Sequence, residues 1–212
     1  MTTTDSHPHP GRRVDAVLFD TKAGLLRLRR GLADVIDSKV RRRGPGAPAQ
    51  AMRTLGVCLS EVVTQLYTDT DPNERALQLG KVQNLRIGAR AMDGVRLGAG
   101  DVFSFWAQVG RPTRARGFVE GRELRQGCLI PTVAGGLCQL SNSLYRAARE
   151  AGCDILERHG HTAPIAGSPF PPGEDATVFW NYIDLRFRHT RAYRISAVMD
   201  TDSLTVEFQE AP

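Results

Sequence analysis

The sequence predicts an α+β fold, with helices first along the chain and a region of short strands after them. Apolar residues recur at helical spacing up to Gly94, and beyond that point glycines and short apolar runs indicate strands and turns. Helical spacing returns at 137–151. We therefore expect a disordered tail at 1–13, a helical part at 14–94 and an α+β domain at 95–212.

Composition fits a globular chain of about one domain. It has 212 residues, of which 41% are hydrophobic and 24% charged. The net charge is +5 and comes mostly from arginine. Such an excess is compatible with nucleic acid, an anionic membrane or an acidic small molecule, but no nucleic-acid-binding motif accompanies it. We therefore expect no specific nucleic-acid partner.

The lack of a long apolar stretch and the spacing of the cysteines lead to expectations about the cellular location and the redox state of the thiols. No apolar stretch approaches the roughly 20 residues that cross a bilayer, and the polar residues 1–13 hold no secretory leader. A cytoplasmic location is the expectation. The cysteines are irregularly spaced, which favours free thiols over a disulfide framework. They are Cys58, Cys128, Cys138 and Cys153.

The first predicted helix lies within 14–43 and is strongly basic. Its apolar residues recur at spacings of three and four: Leu25, Leu28, Leu32, Val35 and Ile36. Its basic residues are Arg27, Arg29, Arg30, Lys39, Arg41, Arg42 and Arg43. One interpretation packs the leucines inward and leaves the basic face in water. The other is weak association of a basic helix at 25–43 with a membrane surface. The run at 44–48 is typical of a linker.

Further elements follow in order. The pattern predicts a second helix at 49–67 and a third from Asp71 and Pro72 to Gly94, because Asp is a good N-cap and Pro suits the first helical position. Short strands are expected at 95–129, with Phe103, Phe105 and Trp106 in the core. Later strand candidates are 154–158, 176–187, 193–198 and 204–208. We expect helix 137–151 to pack against an antiparallel sheet built mainly from residues 154–208.

The start of helix 137–151 is the best candidate for chemistry. Gly135 and Gly136 allow a tight turn, and Cys138 then falls in the first helical turn. There the helix dipole and unpaired N–H groups favour an anion, hence the reactive thiolate. The alternative is that Cys138 is a small buried apolar residue.

Neighbouring polar residues share the face of Cys138. Ser141, Asn142 and Tyr145 follow it at i+3, i+4 and i+7, so we predict that they contact substrate. Gln139, together with the N–H groups of the helix start, is a candidate for stabilising an oxyanion. Ser141 and Asn142 have a simpler alternative, which is hydrogen bonding to neighbouring backbone.

A thiolate nucleophile needs a base and a group that orients the base. His159 and His161 end a strand candidate, and in an extended chain residues two apart share a face, so spacing excludes neither. Asp175 and Asp184 are candidates for the orienting carboxylate. The order Cys, His, Asp is that of papain-like and transglutaminase-like folds, and a fold of that kind is an expectation by analogy.

Several motifs together resemble the VanW family, named for an accessory protein of vancomycin-resistance operons. The resemblance runs from about Lys81 to Phe208 and rests on Asn84 and the stretches 100–105, 109–110, 135–142, 157–161, 175–178 and 184–185. The family's Gly-Gly-x-Cys-Gln motif falls on Cys138 and Gln139. Its Arg-x-x-His element counts from Arg158 to His161, so the resemblance favours His161 as the base.

The chain departs slightly from the family pattern, with Ala99-Gly100 where relatives usually have Pro-Gly. Relatives often carry membrane anchors or cell-wall modules. Neither is recognisable in this sequence, which weighs against a wall-bound role.

The leading hypothesis is a cysteine-dependent acyl-transfer enzyme, a hydrolase or transferase, acting on a peptidoglycan-precursor-like or other small peptidic amide. Cys138 attacks, His161 acts as base and then acid, and Asp175 or Asp184 orients it. His159 would contact substrate. Alternatives are a non-catalytic module that binds a peptide or cell-envelope precursor and a secondary-metabolism enzyme on the same fold. A metal site of Cys138, His159 and His161 fits no standard zinc spacing, so no metal or cofactor is expected.

Overall fold

The computed structural model contains both helices and antiparallel strands, and it describes residues 21, 24–33, 39–40, 56–67, 71–125, 128–160 and 173–211. The helices are α1 (24–33), α2 (Arg75–Met92), α3 (Phe105–Val109) and α4 (Cys138–Glu150). The strands are β1 (Cys58–Gln65), β2 (Val95–Leu97), β3 (Val102–Ser104), β4 (Glu120–Arg125), β5 (Cys128–Val133), β6 (Asp154–Glu157), β7 (Arg186–Arg188), β8 (Tyr193–Met199) and β9 (Ser203–Glu210). The predicted α+β class is confirmed.

The strands form a four-stranded sheet in the order β1-β9-β8-β2, a three-stranded sheet β3-β7-β6 and the hairpin β4-β5. All neighbouring strands run antiparallel. Helices α2 and α4 pack on the four-stranded sheet. Leu85 of α2 and Leu144 of α4 are fully buried there, with Ile195 of β8 and Phe208 of β9. The predicted packing of helix 137–151 on an antiparallel sheet is therefore confirmed. Strands β8 and β9 come from the predicted region, whereas β1 and β2 come from earlier in the chain.

The predicted helix at 49–67 is wrong over residues 58–65, which form the edge strand β1. Burial alternates along this strand, as a period of two requires. Two of its buried residues, Ser60 and Thr64, are polar, so the apolar pattern alone did not show the alternation. Helix α4 satisfies them: the Ser60 hydroxyl donates to the carbonyl of Ala147, 2.8 Å away, and Thr64 Oγ1 lies 3.4 Å from Ser143 Oγ.

The third predicted helix is confirmed. A short 3-10 turn at Pro72–Glu74 leads into α2, and Asp71 caps it by accepting the backbone N–H of Asn73 at 2.9 Å. The helix gives way to β2 at Gly94, whose φ of 79° lies in the left-handed region that favours glycine. Phe103, Phe105 and Trp106 are in the core, as expected.

The strand predicted at 176–187 is wrong for most of its length. Strand β7 begins at Arg186, and before it the chain turns back on itself, with Tyr182 N–H bonded to the carbonyl of Phe179 at 3.0 Å. The aromatic residues that looked like a strand pattern serve packing instead. The Trp180 ring meets the Trp106 ring edge-on at 5.3 Å between centroids. The other late strand candidates correspond to β6, β8 and β9.

Helix α1 contacts the rest of the molecule through its arginines. Arg30 forms a two-pronged ion pair with Glu157 at 2.5 Å, and Arg27 Nε donates to the carbonyl of Trp180 at 2.8 Å. The inward packing expected for the leucines is wrong for three of them. Leu25, Leu28 and Leu32 are 69%, 63% and 59% exposed.

Some expectations fall outside the described residues. They are the disordered tail at 1–13, the linker at 44–48 and the apolar residues Val35 and Ile36. Among the described helices, none is both long and apolar enough to cross a membrane.

Candidate functional site

The turn that precedes Cys138 is held by close backbone packing. At Gly135 a Cβ would overlap the carbonyl oxygen of Gly121, and at Gly136, where φ is 96°, it would overlap the side chain of Lys81. Both positions therefore require glycine. The fully buried Asn84 of α2 fixes the same turn, because its amide nitrogen donates to the carbonyls of Gly135 and Val119 at 3.0 Å.

Cys138 is the first residue of α4, as predicted from the sequence. Its side chain is partly exposed and lies against the hydrophobic core. The sulfur is 3.4 Å from Oγ1 of Thr177. The N–H dipoles of the helix point toward this end.

Ser141 and Asn142 clamp the segment that carries Thr177 onto α4. The Ser141 hydroxyl donates to the carbonyl of Ala176 at 2.5 Å, and Asn142 Oδ1 accepts the N–H of the same residue at 2.6 Å. Ala176 is fully buried, and its backbone N–H and carbonyl therefore need hydrogen-bond partners within the protein. Side chains of one helix, α4, supply both partners. This clamp places Thr177 beside Cys138. The backbone-bonding alternative describes these contacts, and the predicted contact of Ser141 and Asn142 with substrate stays a prediction.

Asp175 lies on the other side of the clamp, beside the strand end that leads to the predicted base. Its carboxylate pairs with Arg158 at 3.2 Å and lies alongside Gly160. Arg158 also donates to the carbonyls of Asp175, at 2.6 Å, and Gly173, at 2.7 Å. The N–H of Thr177 donates to the carbonyl of His159 at 2.7 Å. Hydrogen bonds and an ion pair therefore join residues 158–160 to residues 173–177. The first of these segments ends one residue before His161.

Asp184 belongs to a different environment, the buried corner between β3 and α3. The Ser104 hydroxyl donates to it at 2.6 Å, and the backbone N–H groups of Trp106 and Leu185 donate at 3.2 and 3.0 Å. Its side chain is inaccessible to solvent. Burial raises the pKa of Asp184 to about 6. This carboxylate braces the corner of the fold.

The two predicted histidines differ in what the structure shows. His159 is half-exposed, and its Nε2 lies 3.3 Å from the carboxylate of Glu157. Burial acts to raise the pKa of Glu157, but the hydrogen bonds and charge of Arg30 outweigh it and hold that pKa below its usual value. His161 lies outside the described residues, so its role as base stays a prediction.

Gln139 and Tyr145 also face specific partners. The amide nitrogen of Gln139 donates to Thr64 Oγ1 at 3.1 Å and to the carbonyl of Gln65 at 2.8 Å. Both N–H bonds of that amide therefore attach α4 to β1, and the role of Gln139 as an oxyanion donor stays a prediction. Tyr145 is buried, with the guanidinium of Arg158 over its ring at 5.3 Å. The ring of Tyr145 therefore packs against the guanidinium that joins residues 158–160 to 173–177.

The pKa values of the thiols of Cys58 and Cys153 are both raised. Desolvation and the neighbouring carboxylate of Asp154 raise the pKa of Cys153 to about 12. Desolvation, with the charge of Glu207, raises the pKa of the exposed Cys58. Within the described residues, no group of three or more His, Cys, Asp and Glu side chains is arranged to hold a metal ion.

Three residues of the site were not singled out for these roles from the sequence. They are Thr177 at the sulfur, Arg158 across the joined segments and Asn84 at the glycine turn. Each lies within a motif of the family resemblance. The sequence did contain a signal for Asn84, because it is a polar residue on the apolar side of α2. Buried polar groups need hydrogen-bond partners in the core.

Comparison with known proteins identifies the family of this chain. Residues 80–209 match the family described as VanW like protein, and these residues include Asn84, Cys138, Arg158 and Thr177. The chain belongs to the VanW-like family.

Two VanW-like relatives are similar over part of their length. The chain is 29% identical over 157 residues to the vancomycin B-type resistance protein VanW of Enterococcus faecalis, covering 72% of this chain and 57% of that protein. It is 37% identical over 107 residues to the uncharacterized protein YoaR of Bacillus subtilis, covering 50% of this chain and 34% of YoaR. No solved structure matches. The papain-like expectation therefore stays a prediction.

Proposed function

We propose that this VanW-like protein is a cysteine-dependent acyl-transfer enzyme, an amide hydrolase or transferase. Its substrate would be a peptidoglycan-precursor-like or other small peptidic amide. The observation that carries the proposal is the position of Cys138, partly exposed at the first residue of α4 with its sulfur 3.4 Å from Thr177 Oγ1. A thiol mounted at a helix start is typical of catalytic and redox cysteines. The name of the Enterococcus relative supports a substrate from the cell envelope.

In the proposed reaction His161 takes the proton of the Cys138 thiol, and the resulting thiolate attacks the amide carbonyl carbon and forms a carbon–sulfur bond. The positive end of the helix dipole stabilises the oxyanion that develops. His161 donates a proton to the leaving nitrogen as the carbon–nitrogen bond breaks. Water or an amine then attacks the thioester, gives its proton to His161 and releases the Cys138 thiolate.

Asp175 is the better of the two candidates for orienting His161. It lies beside Gly160, one residue from that histidine, on the segment that the Ser141–Asn142 clamp holds to α4. Asp184 instead accepts three hydrogen bonds in a buried corner. We therefore assign Asp175 the orienting role and Asp184 a structural one.

Thiol labelling tests the proposal. Native protein is treated with limiting iodoacetamide near neutral pH, and the adducts are located by peptide mass mapping. Cys138 should react first, because the raised pKa values of Cys58 and Cys153 keep their thiolate fractions small.

The matched control is Cys58→Ala, which removes an exposed thiol outside the site and should leave labelling of Cys138 unchanged. Incubation with peptide amides should also yield an acyl adduct that maps to Cys138 and is absent from Cys138→Ala. Equal labelling of all thiols, or none at Cys138, would contradict the nucleophile and favour the binding module.

A further inference from the structure

Three leucines of helix α1 form an apolar stripe that faces solvent. Leu25, Leu28 and Leu32 recur at i, i+3 and i+7 and are all more than half exposed. We call these three residues the leucine face. Arg29 is exposed on the same side, one helical turn from both Leu25 and Leu32.

The orientation of α1 is set by its arginines. Arg30 and Glu157 are 16% and 18% exposed and pair through two hydrogen bonds. Rotating the helix to bury the leucine face would break this pair and the bond from Arg27 to the carbonyl of Trp180. Removing one partner from a partly buried ion pair is costly. The leucine face therefore stays outward while α1 is docked.

Charge is concentrated in the same part of the chain. Residues 1–55 hold 11 Arg and Lys against 5 Asp, a net charge of +6, whereas residues 56–212 hold 17 basic and 18 acidic residues, a net charge of −1. The segment that presents the leucine face thus carries the whole positive excess of the protein.

We propose that the leucine face docks on the surface of an anionic lipid membrane. An outward apolar stripe with an exposed arginine on the same side, in a segment of net positive charge, is the pattern of helices that lie in the membrane interface. Pairing with a second copy is disfavoured, because it would bring two +6 segments together. This inference goes beyond the acyl-transfer proposal and does not depend on it.

Co-sedimentation of the full chain with vesicles tests the proposal. Vesicles of phosphatidylcholine mixed with phosphatidylglycerol should bind the protein, and vesicles of phosphatidylcholine alone should bind it far less. The triple substitution Leu25→Ser, Leu28→Ser and Leu32→Ser should weaken binding roughly tenfold or more, because it removes the inserted apolar groups. Arg29→Gln should weaken it about fivefold, and added salt should weaken it further.

Matched controls lie on α2, where Leu79 is 50% exposed and Arg86 is exposed. Leu79→Ser and Arg86→Gln should bind like the wild type, and all variants should keep the wild-type circular dichroism spectrum. Three results would overturn the proposal: no binding to anionic vesicles, equal binding by the triple variant, or equal binding to neutral vesicles. A concentration-dependent dimer that the triple substitution abolishes would overturn it in favour of a second copy.

Discussion

The clamp between α4 and the segment at 175–177 can be tested with two serines of the same helix. Ser141 and Ser143 are both fully buried. Each hydroxyl lies near a carbonyl of its own helix, Ser141 at 3.1 Å from that of Cys138 and Ser143 at 3.0 Å from that of Gln139. Of the two, Ser141 also donates across to the carbonyl of Ala176, at 2.5 Å. Substituting each with alanine removes the same group but affects different contacts.

The expected cost of Ser141→Ala follows from the burial of its partner. Ala176 is inaccessible to solvent, so its carbonyl would lose this donor without gaining water. Leaving such a group unsatisfied lowers the free energy of unfolding by about 1–2 kcal/mol. For a protein of this size that corresponds to a fall in Tm of about 2–8 °C. Ser143→Ala should cost about 1 kcal/mol or less, because its hydroxyl donates within its own helix and Thr64, 3.4 Å away, keeps its hydrogen bond from the amide of Gln139.

The assay combines thermal unfolding with the rate of Cys138 alkylation near neutral pH. Ser141→Ala should slow alkylation severalfold, since the clamp holds Thr177 and Asp175 against the helix start. Ser143→Ala should leave that rate unchanged. If both variants label Cys138 at the wild-type rate while Ser141→Ala is destabilised, the clamp is structural alone and the reasoning about the site is refuted.

Two further predictions concern protons. His161→Ala should abolish thiolate-dependent alkylation of Cys138 near neutral pH. The matched variant His159→Ala should leave most of that alkylation, because the His159 ring contacts the carboxylate of Glu157. The reverse pattern would assign the base to His159, and an unchanged rate in both variants would leave Cys138 without the proposed base. Asp184→Asn should remove the part of the pH dependence of stability that comes from this carboxyl group. The pKa of Asp184 is about 6 in the folded state, above the ordinary value of 3.8, so the native state binds this proton more tightly than the unfolded state does. The contribution of Asp184 to the free energy of unfolding therefore rises as pH falls from about 7 to about 4. The wild type should therefore gain up to about 3 kcal/mol relative to Asp184→Asn over that range in urea unfolding, and parallel stability curves for the two proteins would contradict the raised pKa.

Local patterns were sufficient for α2 and α4. Both have strong helical periodicity, and each begins at a recognisable signal, Asp71-Pro72 for α2 and the glycine pair for α4. Helix-start signals act within a few residues, so they can be read directly from the sequence. The position of Cys138 in the first turn followed from the same reasoning.

Long-range contacts decided what the local patterns did not. Strand β1 pairs with β9 across more than half of the chain and buries Ser60 and Thr64 through bonds to α4. An edge strand with polar buried residues has no distinctive apolar alternation, so a helical interpretation was equally compatible with its sequence. The region at 176–185 looked extended because its aromatic residues are frequent in strands, but they pack as a turn on Trp106.

For this protein the sequence by itself determined the α+β class, the family resemblance and the candidate nucleophile, because each depends on residue type and short spacing. Tertiary structure alone showed that Asp175 and Asp184 lie in different surroundings, since nothing in the residue type distinguishes the two carboxylates. It also reversed the orientation expected for α1. Amphipathic spacing locates the apolar face of a helix, but a partly buried ion pair between Arg30 and Glu157, 127 residues apart, decides which face meets the protein.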